Sequence, residues 1–168
     1  IMGKIIDLTM PLDSGTPVYP GDPKPEFDQT SSAERDGYTA FSLKINNHLG
    51  THIDAPNHFI KNGKTLDKFP LARFIGTGVV VNAKGKKEIN AEVLDKVKTR
   101  KNDIVLFYTS HSKSRKNYFD DAPFIPDDLA KKLAKLKPSI VGIDSFSVDK
   151  EPYNVHKILL KNDILILE

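Results

Sequence analysis

Between positions 48 and 58 the chain reads His48-Leu49-Gly50-Thr51-His52-Ile53-Asp54-Ala55-Pro56-Asn57-His58. Only five histidines occur in the whole sequence, so three of them in one short stretch set it apart. Neutral imidazole and carboxylate are ligand types that Zn²⁺, Mn²⁺ and Fe²⁺ accept. Gly50 and Pro56 disfavour a helix, so the segment is expected to be extended. Side chains of an extended chain alternate between faces, which puts His48, His52 and Asp54 on one side. Two histidines and an Asp would suit a polar surface strand, or a buried His tied to a carboxylate, equally well. The third histidine, the Asp of matching parity and the Gly50-Thr51 step decide for a metal site.

Three ligands from one segment leave coordination positions open, as in a catalytic rather than a structural site. A divalent ion can bring the pKa of a bound water from about 15.7 toward roughly 7 and can polarise a carbonyl oxygen. Both effects serve attack on an amide, formamide or lactam. Beyond Pro56 the parity argument no longer applies. His58 is therefore either a further ligand or the group that shuttles the proton.

The elements that must position these groups can be read from periodicity. Residues 4–9 read as a first strand, and residues 11–37, rich in Pro, Gly, Asp and Ser, as a long irregular loop. From Thr39 to Asn47, Phe41, Leu43 and Ile45 alternate with polar residues, a strand leading into the histidine motif. Gly76 to Asn82 is a buried strand, and Asn90 caps a short helix through Lys98 with Leu94 and Val97 inward. Asp103 to Thr109 is another strand. Pro126 takes the first position of a helix carrying Leu129, Leu133 and Leu136, which Pro138 stops. Ile140 to Ile143 is a strand, a short helix carries His156, Leu159 and Leu160, and Asp163 to Glu168 is a final strand. Strands interleaved with a few helices make an α/β fold with a mixed sheet.

Composition narrows the function. A chain of 168 residues fits a single domain, taken as 2–168, with Ile1 set aside as a remnant before Met2. The net charge of +3 is weak, and the small basic clusters at Lys84–Lys87 and Lys113–Lys116 read as solvated loops. No nucleic-acid partner is expected. Cysteine is absent, which excludes disulfides and thiolate metal sites. No apolar run approaches a membrane span and no signal peptide is evident, so a cytoplasmic enzyme without a membrane partner is expected.

The stretch His48 to Phe59 resembles the His-x-Gly-Thr-His-x-Asp-Ala-Pro-x-His-Phe signature of the cyclase-like metal-dependent hydrolases. That family includes bacterial kynurenine formamidase and isatin hydrolase. The resemblance continues through Asp7-Leu8-Thr9, Pro17-Val18-Tyr19-Pro20-Gly21-Asp22, the Gly142-to-Asp149 stretch and a closing His156…Glu168 pair. It implies a swivelling β/β/α fold, and a second metal position using His156 and Glu168 with Asp54 bridging two ions. Members continue past this glutamate with more β structure, so the C-terminal end is expected to be incomplete. The resemblance further implies a homodimer or homotetramer and one or two ions per subunit, zinc foremost, with manganese or iron accepted by the same ligands.

The implied reaction is hydrolysis of a small amide, foremost N-formylkynurenine to kynurenine and formate, with isatin-type lactam opening as a close competitor. A metal-stabilised binding or structural module without turnover is the alternative. Among the aromatic residues, Tyr19 and Phe119 are expected to contact a flat substrate, with Phe59 and Tyr118 able to join them. Asp144 and Ser147 read most simply as a turn at a strand end, and His111 as a loop residue. His111 stands where the family more commonly shows a Thr-Gly-Trp-like step, a departure that bears on the substrate pocket.

Overall fold

The computed structural model describes residues 3–113 and 121–168. The chain divides into two compact units, residues 1–52 and residues 53–168.

The first unit is built on an antiparallel pair, β1 (Glu26–Ser31) and β2 (Ala40–Lys44), with a bulge between Gln29 and Ser31. A single-turn helix, α1 (Ala33–Asp36), joins them. Ser32 caps it by accepting from Arg35 N, and Asp36 returns a bond to Ser32 N, the reciprocal arrangement of a capping box. The stretch 11–37, expected to be all loop, therefore carries a strand and a helix. Residues 4–9, expected as a strand, form none, and Ile5, Ile6 and Leu8 are exposed. Apolar character without a strand to pair with was not enough. Phe41, Leu43 and Ile45 alternate as predicted but are exposed, so here the period marks a strand and not a core face.

The second unit holds a five-stranded mixed sheet in the order β3-β7-β6-β5-β4. Strands β4 (Gly78–Asn82), β5 (Ile104–Tyr108), β6 (Ile140–Ile143) and β7 (Leu165–Leu167) run parallel, and β3 (Ile53–Asp54) lies antiparallel to β7. Every residue of β6 is buried, as a strand covered on both faces requires. At Gly142 a Cβ would come within 2.7 Å of Leu106 Cδ2 and 3.3 Å of Leu167 Cβ, so the neighbouring strands use that space.

Helices α2 (Asp127–Leu136) and α3 (Asn154–Lys161) pack on this sheet. Leu129 and Leu133 of α2, and Val155, Leu159 and Leu160 of α3, join Val81, Phe107, Val141 and Ile166 in the core. Two boundary details differ from expectation. Pro126 is the residue before the first helical position of α2, and Ala91–Lys96 forms a 3₁₀ helix that Asn90 precedes without a side-chain cap bond. Leu94 is buried and Val97 packs on the core, as predicted. The α/β class and the mixed sheet are those expected from the sequence. No helix among the described residues is long and apolar enough to cross a membrane.

Candidate metal centre

In the second unit, chain topology brings three separated residues together. Asp54 ends the two-residue strand β3 opposite Ile166, and Glu168 follows directly on β7. His156 lies in the first turn of α3, on the face shared with Leu159 and Leu160, and is 2 % exposed. Its Nε2 stands 3.6 Å from Asp54 Oδ2 and 3.6 Å from Glu168 Oε2. Those separations are too long for good hydrogen bonds. Ligands about 2.1 Å from a tetrahedral ion lie about 3.4 Å from one another, so this spacing matches the edge of a coordination shell. Two carboxylates, each 3.6 Å from one imidazole nitrogen and withdrawn from water, are donor types that a divalent cation accepts.

Each of the three is held by its surroundings. Asp54 is 1 % exposed. Val148 N donates to Glu168 Oε2 at 2.9 Å. Asp149 Oδ1 lies 2.5 Å from His156 Nδ1. Burial works most strongly against a charge on His156, but the carboxylates of Asp149, Asp54 and Glu168 outweigh it and raise its pKa to about 11.

His58 is placed by a different device. Pro56 opens a 3₁₀ turn, Pro56–His58, which ends the extended stretch of β3. His58 Nε2 reaches to 4.0 Å from Asp54 Oδ2, and the ring centroids of His58 and His156 are 5.9 Å apart. With its side chain about 31 % exposed, His58 is the more accessible member of that pair. Phe59 packs its ring 4.4 Å from His58 and 4.7 Å from His156, so it walls this cluster.

The first unit carries His48 and His52. They do not lie on an extended strand, contrary to the parity argument. Residues 47–51 form turns and bends, with Gly50 at φ +64°. That turn brings His48 Nδ1 and His52 Nε2 to 3.0 Å, and His52 Nδ1 to 2.8 Å from Gly50 O, so the two rings meet through a reversal instead of an alternation. Gly50 is required twice over. Its φ is left-handed, and a Cβ would fall 2.3 Å from Leu12 Cδ2.

The remaining expectations resolve unevenly. Tyr19 lies in a turn of the first unit in which Asp22 N donates to Tyr19 O, with the residue about 36 % exposed. Phe119, Tyr118 and the Lys113–Lys116 cluster beyond Lys113 fall outside the described residues. Asp144 is more than a local turn. It accepts from Thr109 N at 2.7 Å, Thr109 Oγ1 at 2.6 Å and Ser110 N at 2.9 Å, tying the ends of β5 and β6 together. His111 sits just beyond, its backbone bonded to Thr109 Oγ1 and its ring 6.2 Å from that of Phe146. Asp149 is a residue of this cluster that sequence reasoning alone does not single out. Its signal was present as the last Asp of the Gly142-to-Asp149 stretch.

A family model described as "Putative cyclase" matches residues 6–150. Kynurenine formamidase of Geobacillus thermodenitrificans is 32% identical over 150 residues, covering 89% of this chain and 72% of that protein. Kynurenine formamidase of Salinibacter ruber is 31% identical over 172 residues, covering 98% and 81%. A solved structure titled as a potential metal-dependent hydrolase with cyclase activity superposes with a TM-score of 0.84 at 29% identity, over 98% of this chain and 80% of that one. Isatin hydrolase A from Labrenzia aggregata shares the fold, with a TM-score of 0.84 at 23% identity over 96% and 78% of the two chains. The fold and the relatives together define a metal-dependent hydrolase of amide C–N bonds. The chain belongs to the cyclase family.

Proposed function

We propose that this chain is an arylformamidase, hydrolysing the formamide of an N-formyl arylamine, with N-formylkynurenine the leading substrate. The observation that carries the reading is the buried convergence of Asp54, His156 and Glu168 with the more accessible His58 beside it. The names of the formamidase relatives supply the substrate class. A divalent ion in this cluster would acidify a water and polarise the formyl carbonyl.

Asp54 is the shared ligand in this proposal. His48 and His52 of the same sequence motif, together with His156 and Glu168, would supply the other donors. His58 is the proton carrier. It accepts a proton as water adds to the carbonyl carbon and returns one to the amine nitrogen as the C–N bond breaks. The balance is one water and one formamide consumed, one arylamine and one formate released, with a proton to solvent. A role as ligand for His58 would instead make it part of the ion's shell. Zinc is the preferred ion, manganese and iron being alternatives, with one or two per subunit.

Residues 2–168 would work as one domain, with Tyr19 and Phe119 against the aromatic ring of the substrate. We further propose a cytoplasmic homodimer or homotetramer that engages neither nucleic acid nor membrane. Analytical ultracentrifugation would measure the self-association.

The test is incubation of zinc-loaded and manganese-loaded protein with N-formylkynurenine, other aryl formamides and isatin, following formate and ring opening. Formate release from the formamides is the expected result. Absence of formate from every formamide, with lactam opening retained, would reject the arylformamidase reading.

A further inference from the structure

Asp149 is buried, 6 % exposed, and its two carboxylate oxygens are used separately. Oδ2 accepts from Val155 N at 2.6 Å, in the first turn of α3. Oδ1 faces His156 Nδ1 at 2.5 Å. An ionised carboxylate can only accept, so the proton of that contact belongs to Nδ1. The opposite ring nitrogen, Nε2, is thereby aimed at Asp54 and Glu168. We propose that Asp149 is a positioning residue for the metal centre, holding His156 in the orientation and tautomer that present Nε2 to the ion. This assignment rests on the metal-hydrolase reading above and deepens it.

Capping α3 does not account for the residue. A cap needs one acceptor oxygen, and Ser, Thr or Asn supplies it as well as Asp. The second oxygen goes to an imidazole 7 positions away, within a loop folded back on itself. Anchoring by Val155 N–H leaves the carboxylate little freedom to rotate away from the ring. Outer partners of this kind fix which nitrogen meets a metal and raise the basicity of the ligand.

The discriminating variant is Asp149→Asn. Its one amide oxygen can keep the bond from Val155 N, while its NH₂ then faces Nδ1. An NH₂ there favours the other tautomer and places a proton on Nε2, where the ion should bind. Zinc would be titrated into metal-stripped wild type and Asp149→Asn against a chromophoric chelator. Far-UV circular dichroism would confirm that the variant is folded. The expected result is a loss of about 10–100-fold in zinc affinity with the fold retained. Ring-nitrogen NMR of zinc-loaded wild type provides a second readout that does not require any variant to fold. It should show His156 protonated at Nδ1 and ligating through Nε2.

Wild-type affinity in a folded Asp149→Asn would overturn the assignment, as would ligation of His156 through Nδ1, and either result would leave the metal reading standing. A wild-type chain that binds no divalent ion would overturn the metal reading and this assignment together.

Discussion

Around His48 and His52 the chain is a turn. The two half-buried rings lean on each other and on the Gly50 carbonyl, with Gly50 in a left-handed conformation. Asp54, His156 and Glu168 are supported otherwise. They sit at the ends of β3 and β7 and in the first turn of α3, all three side chains almost sealed from water. One group of proposed ligands depends on a local backbone reversal, the other on the sheet and core of the second unit. His52 and Asp54 are two residues apart in sequence, so a single motif feeds both kinds of support. Disturbance of the second group should therefore remove the ion outright, and disturbance of the first should weaken it by degrees.

The largest effect is expected at Asp54, the ligand shared in the proposed arrangement. Asp54→Asn keeps the shape and removes the charge. Loss of an outer partner commonly costs about 10–100-fold in affinity, and loss of a shared ligand should exceed about 100-fold. Metal content after dialysis, measured by plasma mass spectrometry, should fall to background along with turnover. Retention of the full metal complement would break the proposed site.

Next in size is His58→Ala. Removal of a general acid–base group typically costs about 10²–10⁴ in rate. The drop should appear in kcat, with metal stoichiometry unchanged. Loss of one ion together with the rate would instead make His58 a ligand, and metal analysis separates the two outcomes.

The central sheet was legible in the Ile104–Tyr108 and Ile140–Ile143 runs, whereas Val79–Val81 forms the expected strand without the expected burial, because β4 lies at the end of the sheet and Val80 is 62 % exposed. How His48 and His52 meet was not legible. Parity assumes extension, and the left-handed Gly50 turn breaks that assumption while producing the same pairing. Glu168 and His156 were reachable through family resemblance alone, since their convergence depends on strand register and on where α3 docks. Pairing of β1 with β2 was missed because a Pro-, Asp- and Ser-rich segment obtains its strand from a partner and not from its own hydrophobicity.

A pH effect follows in the second unit. His156 titrates near 6.5 in an unfolded chain and at about 11 in the folded, metal-free protein. A pKa raised on folding contributes stability that is complete below the unfolded value and is lost as pH rises through the folded one. The melting temperature of metal-free protein should therefore decline steadily from about pH 7 to pH 10. An ion must displace the same proton. Zinc affinity should rise by about tenfold per pH unit over this range, with proton release visible to an indicator dye. A flat melting profile, with no proton released on loading, would show that the carboxylates around His156 do not hold it cationic.

The smallest effect is expected from Gly50→Ala, which tests the proposed ligands His48 and His52. A non-glycine residue at φ +64° is strained, and the new methyl would meet Leu12 Cδ2. The cost should be about 1–3 kcal/mol, a fall of several degrees in melting temperature for a chain of this size. Leu12 is a flexible side chain and can give way, so the variant should fold. What it cannot keep is the backbone reversal that brings the two rings to 3.0 Å. Metal affinity should weaken moderately, while the pH dependence of metal-free melting, governed by His156, should stay unchanged. A Gly50→Ala chain whose metal affinity falls as far as that of Asp54→Asn would show that the local reversal bears as much of the site as the buried sheet does, and the contrast between the two ligand groups would fail.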